Sequence, residues 1–369
     1  MNNILEDKYL HDSGLLAKPP GDFTGQVAWE CPSNVALIKY WGKRPVQLPM
    51  NPSVSFTLRE AKTKIKVDFR SKPGRNGISL KFYFDGRPAG SFGERVRNYL
   101  EQALRYLPFL DRADLVIDTN NTFPHSAGIA SSASSFGALA LSLCNMEKMI
   151  FGTLLSPAEF LEKASFLARL GSGSACRSVY GGFSLWGRTD ARESSTDEAA
   201  MPLNTGIHPS FSDLCDTILV IRSGAKEVSS HEGHRLMEGH PYAAARFLQA
   251  QANLKEMLRI LGNGDENAFA LLAEEEALTL HAMMITSRPG YLLMKPNTLR
   301  AIDRIRHFRS DTGLPVCFTL DAGPNVHLLY PARVAPQVRS FIESNLSVLC
   351  EDARMIHDGV GSGPVMLNG

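Results

Sequence analysis

The sequence predicts an α+β protein of two domains, and three observations carry that expectation. The chain has 369 residues, and single hydrophobic cores stop growing at roughly 250–300 residues. Its strand-like and helix-like stretches are mixed without the strict strand–helix–strand order of a doubly wound sheet. A polar, turn-rich stretch, "GRTDARESSTDEAAMPLNTGIHPSF", interrupts the patterned sequence and places a division near residue 205. The expected domains are 1–204 and 205–369.

Residues 1–24 mix charge with isolated apolar residues, which predicts a loosely attached arm. From Val27 to about Phe84 the short runs "VALIKY", "SVSFTL" and "KIKVDF" are rich in β-branched and aromatic residues and read as strands. "RVRNYLEQALRYL" and "SFGALALSLCNMEKMIF" carry apolar residues at helical spacing. "SPAEFLEKASFLARL" has a helix start, with Ser156 as N-cap, Pro157 in the first turn and Glu159 closing a capping box. "GGFSLW" is the next strand. Beyond the division come a strand "TILVI", helices through "HPYAAARFLQAQANLKEMLRIL", "ENAFALLAEEEALTLHAMMI" and "TLRAIDRIRHFRS", strands "PVCFTL" and "VHLLY", and a last helix "RVAPQVRSFIESNL". Glu274, Glu275 and Glu276 are expected on a solvated helix face, His281 as a packing histidine, and Trp29, Trp41 and Trp186 in the core.

Composition narrows the function. Hydrophobic content of 44% with 21% charged residues is ordinary for a globular chain. A formal net charge of +1 argues against a general nucleic-acid binder, so an anionic ligand must be held by local groups. The six cysteines form no CxxC pair, which leaves no zinc or redox motif and fits a reducing compartment. The first residues lack the apolar centre of a signal peptide, and no apolar run reaches the ~18 residues of a membrane span. The expectation is a soluble, cytoplasmic protein.

Four stretches carry chemistry. "NVALIKYWGKR" ends an apolar strand in Lys39 and Lys43 around Tyr40 and Trp41; a solvated strand end would read the same way. "FPHSAGIASSASSFGALAL" sets small residues before a helical pattern, which lets backbone N–H groups and a helix N-terminus approach an anion. It is neither a Walker A loop nor a GxGxxG fingerprint, and a tight turn before a buried helix fits it too. "RLGSGSACRSVYGGF" adds Gly171, Gly173, Ser172, Ser174, Ser178 and the Arg177 fork, a set suited to phosphate or carboxylate oxygens. "CFTLDAGPNVHLLY" puts Asp321 directly after an apolar strand, either to cap its own turn or to orient a hydroxyl proton. His231 and His234 in "KEVSSHEGHR" have metal-like spacing but no matching acidic or cysteine ligand.

Taken together, "NVALIKYWGK", "NPSVSFTL", "FPHSAGIASSAS", "RLGSGSACRSVYGGF", "KEVSS", "FTLDAGPNV" and "GVGSGPVML" resemble the mevalonate diphosphate decarboxylases of the GHMP kinase superfamily, in order over roughly residues 27 to 366. The resemblance implies a GHMP-type N-terminal domain, a ferredoxin-like C-terminal domain and an active-site cleft between them. It implies ATP and Mg²⁺, mevalonate 5-diphosphate as substrate, isopentenyl diphosphate, ADP, phosphate and CO₂ as products, and a homodimer. Carried over by position, Asp321, Arg177, Asn34 and Lys43 are catalytic. Tyr40, Lys43, Ser172, Ser174, Arg177 and Ser230 bind substrate. Pro124, Gly128, Ser131, Ser132 and Ala133 form the ATP loop; the metal ligands are not assigned, and Lys39 is left between ATP and solvent. Two positions depart from the family: His231 stands where some members carry an arginine, and His234 where many have methionine. They keep open a relative acting on mevalonate 5-phosphate, or one that phosphorylates the 3-hydroxyl without decarboxylation. A silent nucleotide-binding paralogue is disfavoured by the joint presence of Asp321, Arg177 and Lys43.

Overall fold

The structure is a computed structural model and describes residues 3–74, 77–123, 129–203, 205–224 and 228–367. It opens with helix α1 (Ile4–Leu16), strand β1 (Thr24–Ala36), the small hairpin β2 (Lys43–Arg44) and β3 (Leu48–Pro49), and the long strand β4 (Ser53–Ser71). Strands β5 (Ser79–Phe84) and β6 (Arg87–Pro88), helix α2 (Gly90–Ala103) and strand β7 (Ala113–Asn121) follow. Next come helices α3 (Ser131–Phe151), α4 (Pro157–Gly171) and α5 (Ala175–Ser178), then β8 (Phe183–Trp186) and β9 (Ala200–Pro202). The second half runs through α6 (Pro209–Ser212), β10 (Leu214–Leu219), α7 (Ser230–Arg235), α8 (Ala243–Asn263), α9 (Glu266–Ile285) and α10 (Pro296–Thr312). It ends with β11 (Cys317–Leu320), β12 (Val326–Pro331), α11 (Ala335–Phe341), β13 (Met355–Gly359) and β14 (Val365–Met366).

The runs expected as two strands, "SVSFTL" and "KIKVDF", form the single strand β4. From Thr63 to Phe69 its odd-numbered residues are buried and its even-numbered ones face outward, the period-2 signature of a sheet packed on one face. The sheet order is β14-β1-β4-β7-β5-β6, with β8 added beside the first part of β4 and β9 beside β8. Helices α3 and α4 cover this sheet, and Val27, Cys31, Ile65, Val67 and Phe69 share one core with Leu139, Leu143 and Phe166.

Between Pro32 and Asn34 the β1–β4 register slips, and the chain's far end enters at that break. The Asp358 carboxylate accepts from the N–H groups of Arg59, Glu60 and Ala61 at 2.7, 2.9 and 2.8 Å. Gly361 N–H donates to the Thr57 carbonyl at 2.8 Å. A Cβ on Gly361 would collide with the Leu58 carbonyl oxygen, which accounts for glycine in "GVGSGPVML". Strand β14 then pairs with β1 at Trp29 and Glu30, so the chain's last strand belongs to its first sheet.

The second sheet, β11-β12-β10-β13, is antiparallel throughout. A core shared by both halves packs Val35, Leu37, Ile38 and Phe56 against Phe211, Ile218, Leu254 and Met257.

Several expectations are corrected. The N-terminal segment is not a loose arm: Tyr9 and Leu16, two helical turns apart, are buried, and Glu198 accepts from the N–H groups of Leu5 and Glu6 at 3.0 and 2.8 Å. The acceptor lies almost two hundred residues downstream, so nothing local announces the docking. Ser156 does precede a helix, but its side chain makes no capping bond, and the expected capping box does not form. Strand β1 stops at Ala36, short of the predicted "VALIKY". Glu274 and Glu276 are buried, and only Glu275 of the three faces solvent.

Candidate active site

The chain bends where β1 ends: the N–H groups of Leu37 and Ile38 both donate to the Val54 carbonyl, at 2.8 and 3.2 Å. This bend turns Lys39, Tyr40 and Lys43 into a cleft of about 850 Å³. Asn34, Ser131, Ser132, Ser172, Ser174, Arg177, Ser230 and Asp321 line the same cleft. Elements of both halves therefore converge on one cavity. Ala133 does not: it is fully buried inside α3 and its N–H is spent on the Ala130 carbonyl, a correction to the expected ATP loop. Pro124 and Gly128, with Ser126 and Ala127, lie outside the described residues, as do Lys226 and Glu227 of "KEVSS".

At one end Arg177 is 2% exposed. Its Nε and Nη2 donate to Asn34 Oδ1 at 3.4 and 3.2 Å, and its Nη1 donates to Ser53 Oγ at 2.5 Å. Asn34 is in turn fixed by donating to Ser178 Oγ at 2.8 Å and to the Ser174 carbonyl at 3.1 Å. A guanidinium has five N–H donors, so among the described residues one is left without an acceptor on each terminal nitrogen, enough for a bidentate carboxylate. Burial pushes the Arg177 pKa down from its ordinary value, with the Asp321 charge opposing that shift; a guanidinium stays charged regardless.

Asp321 follows β11, and its Oδ1 receives a hydrogen bond from Lys39 Nζ at 3.0 Å. Lys39 is 2% exposed and lines the cleft with its ammonium on this carboxylate. The Asp321 carbonyl lies 3.1 Å from His281 Nε2, and burial holds His281 down to about pKa 4. The ring is therefore neutral at pH 7, and Nε2 must carry its hydrogen to donate to that carbonyl.

At the other end Lys43 Nζ donates to Gln47 Oε1 and contacts His231 Nδ1, both at 3.0 Å. Desolvation lowers the Lys43 pKa; the Lys43 charge, followed by burial, lowers that of His231. His234 is wedged between the rings of Tyr40 and Trp41, with centroids 4.3 and 4.5 Å away, and its Nδ1 accepts from Gly42 N–H at 3.0 Å. Burial, then the charges of Lys43 and His231, pushes its pKa down to about 3. The Tyr40 hydroxyl is buried and has no hydrogen-bond partner among the described residues. It packs against Gly173, where a Cβ would lie 2.9 Å from that hydroxyl and 2.8 Å from Trp186 Cη2, so the loop tolerates only glycine there.

Some residues in or behind the cleft were not singled out from sequence. Ser53 holds Arg177, Gln47 holds Lys43, and Arg95, Asn98 and Gln102 line the wall from α2. The three α2 residues fall at i, i+3 and i+7, so their shared helix face was the available signal, though α2 is polar on most of its surface.

This architecture is shared with known proteins. The family profile described as the diphosphomevalonate decarboxylase-like N-terminal domain matches residues 31–197, and that of the mevalonate 5-diphosphate decarboxylase C-terminal domain matches residues 217–365. Diphosphomevalonate decarboxylase of Ganoderma lucidum is 31% identical over 83% of this chain and 78% of that protein. The enzyme of Gibberella zeae is 30% identical over 90% of this chain and 95% of that protein. Mevalonate diphosphate decarboxylase from Staphylococcus aureus superposes with a TM-score of 0.79 at 27% identity, covering 94% of this chain and 99% of that one. A structure described as MDDEF in complex with MVAPP, AMPPCP and magnesium superposes with a TM-score of 0.77 at 26% identity, covering 94% of this chain and 100% of that one. With its two-domain GHMP-type fold and a profile match in each half, this chain belongs to the mevalonate diphosphate decarboxylase family.

Proposed function

We infer that this chain catalyses the ATP-dependent decarboxylation of mevalonate 5-diphosphate to isopentenyl diphosphate, ADP, phosphate and CO₂, a step of the mevalonate pathway. The observation that carries the reading is the joint placement in one cleft of a carboxylate bonded to a buried lysine (Asp321 with Lys39) and an arginine fork with two N–H groups to spare.

In this reading Arg177, steadied by Asn34 and Ser53, holds the substrate carboxylate so that the breaking C–C bond is aligned. Asp321 accepts the hydrogen bond of the tertiary 3-hydroxyl, and its charge then favours the positive charge that develops at C3 as phosphate and CO₂ depart. Lys43, Ser172, Ser174, Ser230 and the Tyr40 hydroxyl, which has no partner among the described residues, grip the diphosphate, whose distance from the reacting carbon makes its binding energy available for positioning. The residues present also fit the phosphates of a nucleotide. The 21-residue helix α3 starts at the cleft with Ser131 and Ser132, and its N-cap residue, Ala130, supplies no side-chain cap. Ser131, Ser132 and that helix end would hold the ATP phosphates. When bound, ATP with Mg²⁺ supplies the phosphoryl group that makes the tertiary hydroxyl a leaving group.

The same reading divides the chain near residue 205, supported by β1 to β9, which end at Pro202, and by the second sheet, which starts at Leu214, while β14 alone returns to the first sheet. It also makes the enzyme a cytoplasmic homodimer, supported by family membership and by cysteines that are all free.

The test supplies purified protein, ATP and Mg²⁺ with mevalonate, its 5-phosphate or its 5-diphosphate in separate reactions, following ADP and CO₂. Equal ADP and CO₂ from the 5-diphosphate is the expected result, and Asp321→Asn should lower that turnover by at least about 10³-fold while ATP still binds. ADP without CO₂ would make the protein a kinase on this scaffold, and preference for the monophosphate would change its substrate. No ADP from any of the three would sink the reading.

A further inference from the structure

Lys39 meets Asp321 only if its peptide is held still, because its four-carbon stem leaves the ammonium free to wander. Neither sheet holds it. Past the bend at Leu37 and Ile38, the Lys39 N–H donates to Glu276 Oε2 at 2.9 Å, and its carbonyl accepts from Asn51 Nδ2 at 3.0 Å and Arg246 Nη2 at 3.3 Å. Arg246 and Glu276 form a two-pronged ion pair at 2.6 and 2.8 Å with both side chains wholly buried. Asn253 Nδ2 donates to Glu276 Oε1 at 2.7 Å, so both carboxylate oxygens are engaged.

A buried ion pair is weak support for stability, since apolar residues of similar volume often serve as well. Neither Arg246 nor Glu276 lines the cleft. What the pair does hold is the peptide of one residue, and that residue contacts the carboxylate at the centre of the chemistry. Helix α9 extends the pattern. Glu276 fixes the Lys39 N–H, and His281, five residues further along the same helix, contacts the Asp321 carbonyl. The backbones of both members of the Lys39–Asp321 pair are thus referenced to one rigid helix, at points about 7.5 Å apart along its axis.

We propose that Glu276 and Arg246, with Asn51, are positioning residues that clamp the Lys39 peptide and set its ammonium on Asp321. This rests on the catalytic reading of Asp321 given above. A displaced ammonium leaves substrate binding in place but misdirects the carboxylate during the reaction, so the effect belongs in kcat rather than in KM.

The experiment measures kcat, both KM values and the pH profile of kcat for the full chain with ATP, Mg²⁺ and mevalonate 5-diphosphate. Glu276→Gln should lower kcat by about ten- to a hundredfold. Both KM values should stay within about threefold, and the acid limb of the profile should move to higher pH, because a carboxylate losing a nearby cation is protonated more easily. Since E276Q sets an amide against Arg246 and can fail to fold, Asn51→Ala is measured alongside; it leaves the ion pair intact and should shift kcat and the acid limb in the same direction by a smaller amount. A parental kcat and acid limb in folded variants, with only a lower melting temperature, would overturn the proposal. If the parent protein itself releases no ADP or CO₂, the fault lies with the functional reading and not with the clamp.

Discussion

The two ends of the cleft are built to different standards. At the Arg177 end, Asn34, Ser53 and Ser178 are all buried and bonded to one another or to the guanidinium. At the Lys43 end, the ammonium is half-buried, His231 is exposed, and Gln47 and Val46 sit in left-handed backbone conformations with φ of 62° and 56°. That loop is tied down at its back by Arg169, which donates to the Val46 carbonyl and to that of Glu198. The contrast follows the chemistry each end serves. A carboxylate about to leave as CO₂ must be held within fractions of an ångström, whereas an anionic tail remote from the bond being broken needs only to be retained.

The sharpest way to break the comparison is Arg177→Lys. Lysine keeps the positive charge but not the planar fork, so it cannot serve Asn34, Ser53 and a carboxylate together. We expect kcat/KM to fall by about a hundredfold or more, carried mainly by kcat, with a lower melting temperature as the buried acceptors lose a donor. Steady-state kinetics with mevalonate 5-diphosphate and a thermal melt read both effects. An unchanged kcat would show that the buried end does not set the geometry of the reaction.

Lys43→Met addresses the opposite end and should act mostly on KM, raising it about tenfold for the diphosphate while kcat stays within about threefold. It also removes the charge that contributes most to the lowered pKa of His231. His231 in the variant should then gain its proton at higher pH than in the parent, and a protonated imidazole partly replaces the lost ammonium. The KM penalty should therefore shrink as pH falls from about 8 to about 6. A penalty independent of pH would separate His231 from the anion-holding role.

How much of this was legible beforehand depends on where each partner lies along the chain. Arg177 with Ser172 and Ser174, or Asp321 at the end of an apolar strand, announce themselves within a dozen residues. Lys39 was visible as a residue but not as a partner, since the carboxylate it serves is 282 positions away. Glu276 looked solvated because it sits in a run of three glutamates. The better signal was its register: Phe269, Leu272, Glu276 and Leu280 fall on one stripe of α9, and an acidic residue on an apolar stripe demands a buried cation. The docking of α1 had no comparable signal, because its cap acceptor, Glu198, is supplied by tertiary structure alone.

The mildest expected effect lies beneath the Lys43 end, at His234, and it concerns stability rather than turnover. Unfolded, this imidazole titrates near its ordinary 6.5; folded, its pKa is about 3. Between those values the unfolded chain binds one more proton than the native one, so native stability rises with pH across that window. The stability is fully present above about pH 6.5 and is lost as pH falls toward about 3. In His234→Met that titration is gone, and so is the acceptor for the buried Gly42 N–H. At pH 7.5 the variant should be less stable by about 1 kcal/mol, the worth of one hydrogen bond. As the pH drops, the parent loses up to ~1.4 kcal/mol per unit through this group while the variant does not, so the two curves should cross between about pH 5 and 6. Urea denaturation at pH 7.5, 6 and 5 decides it. Parallel curves would mean that His234 protonates freely in the folded protein, and that the Tyr40–Trp41 wall is open enough to solvate a charge.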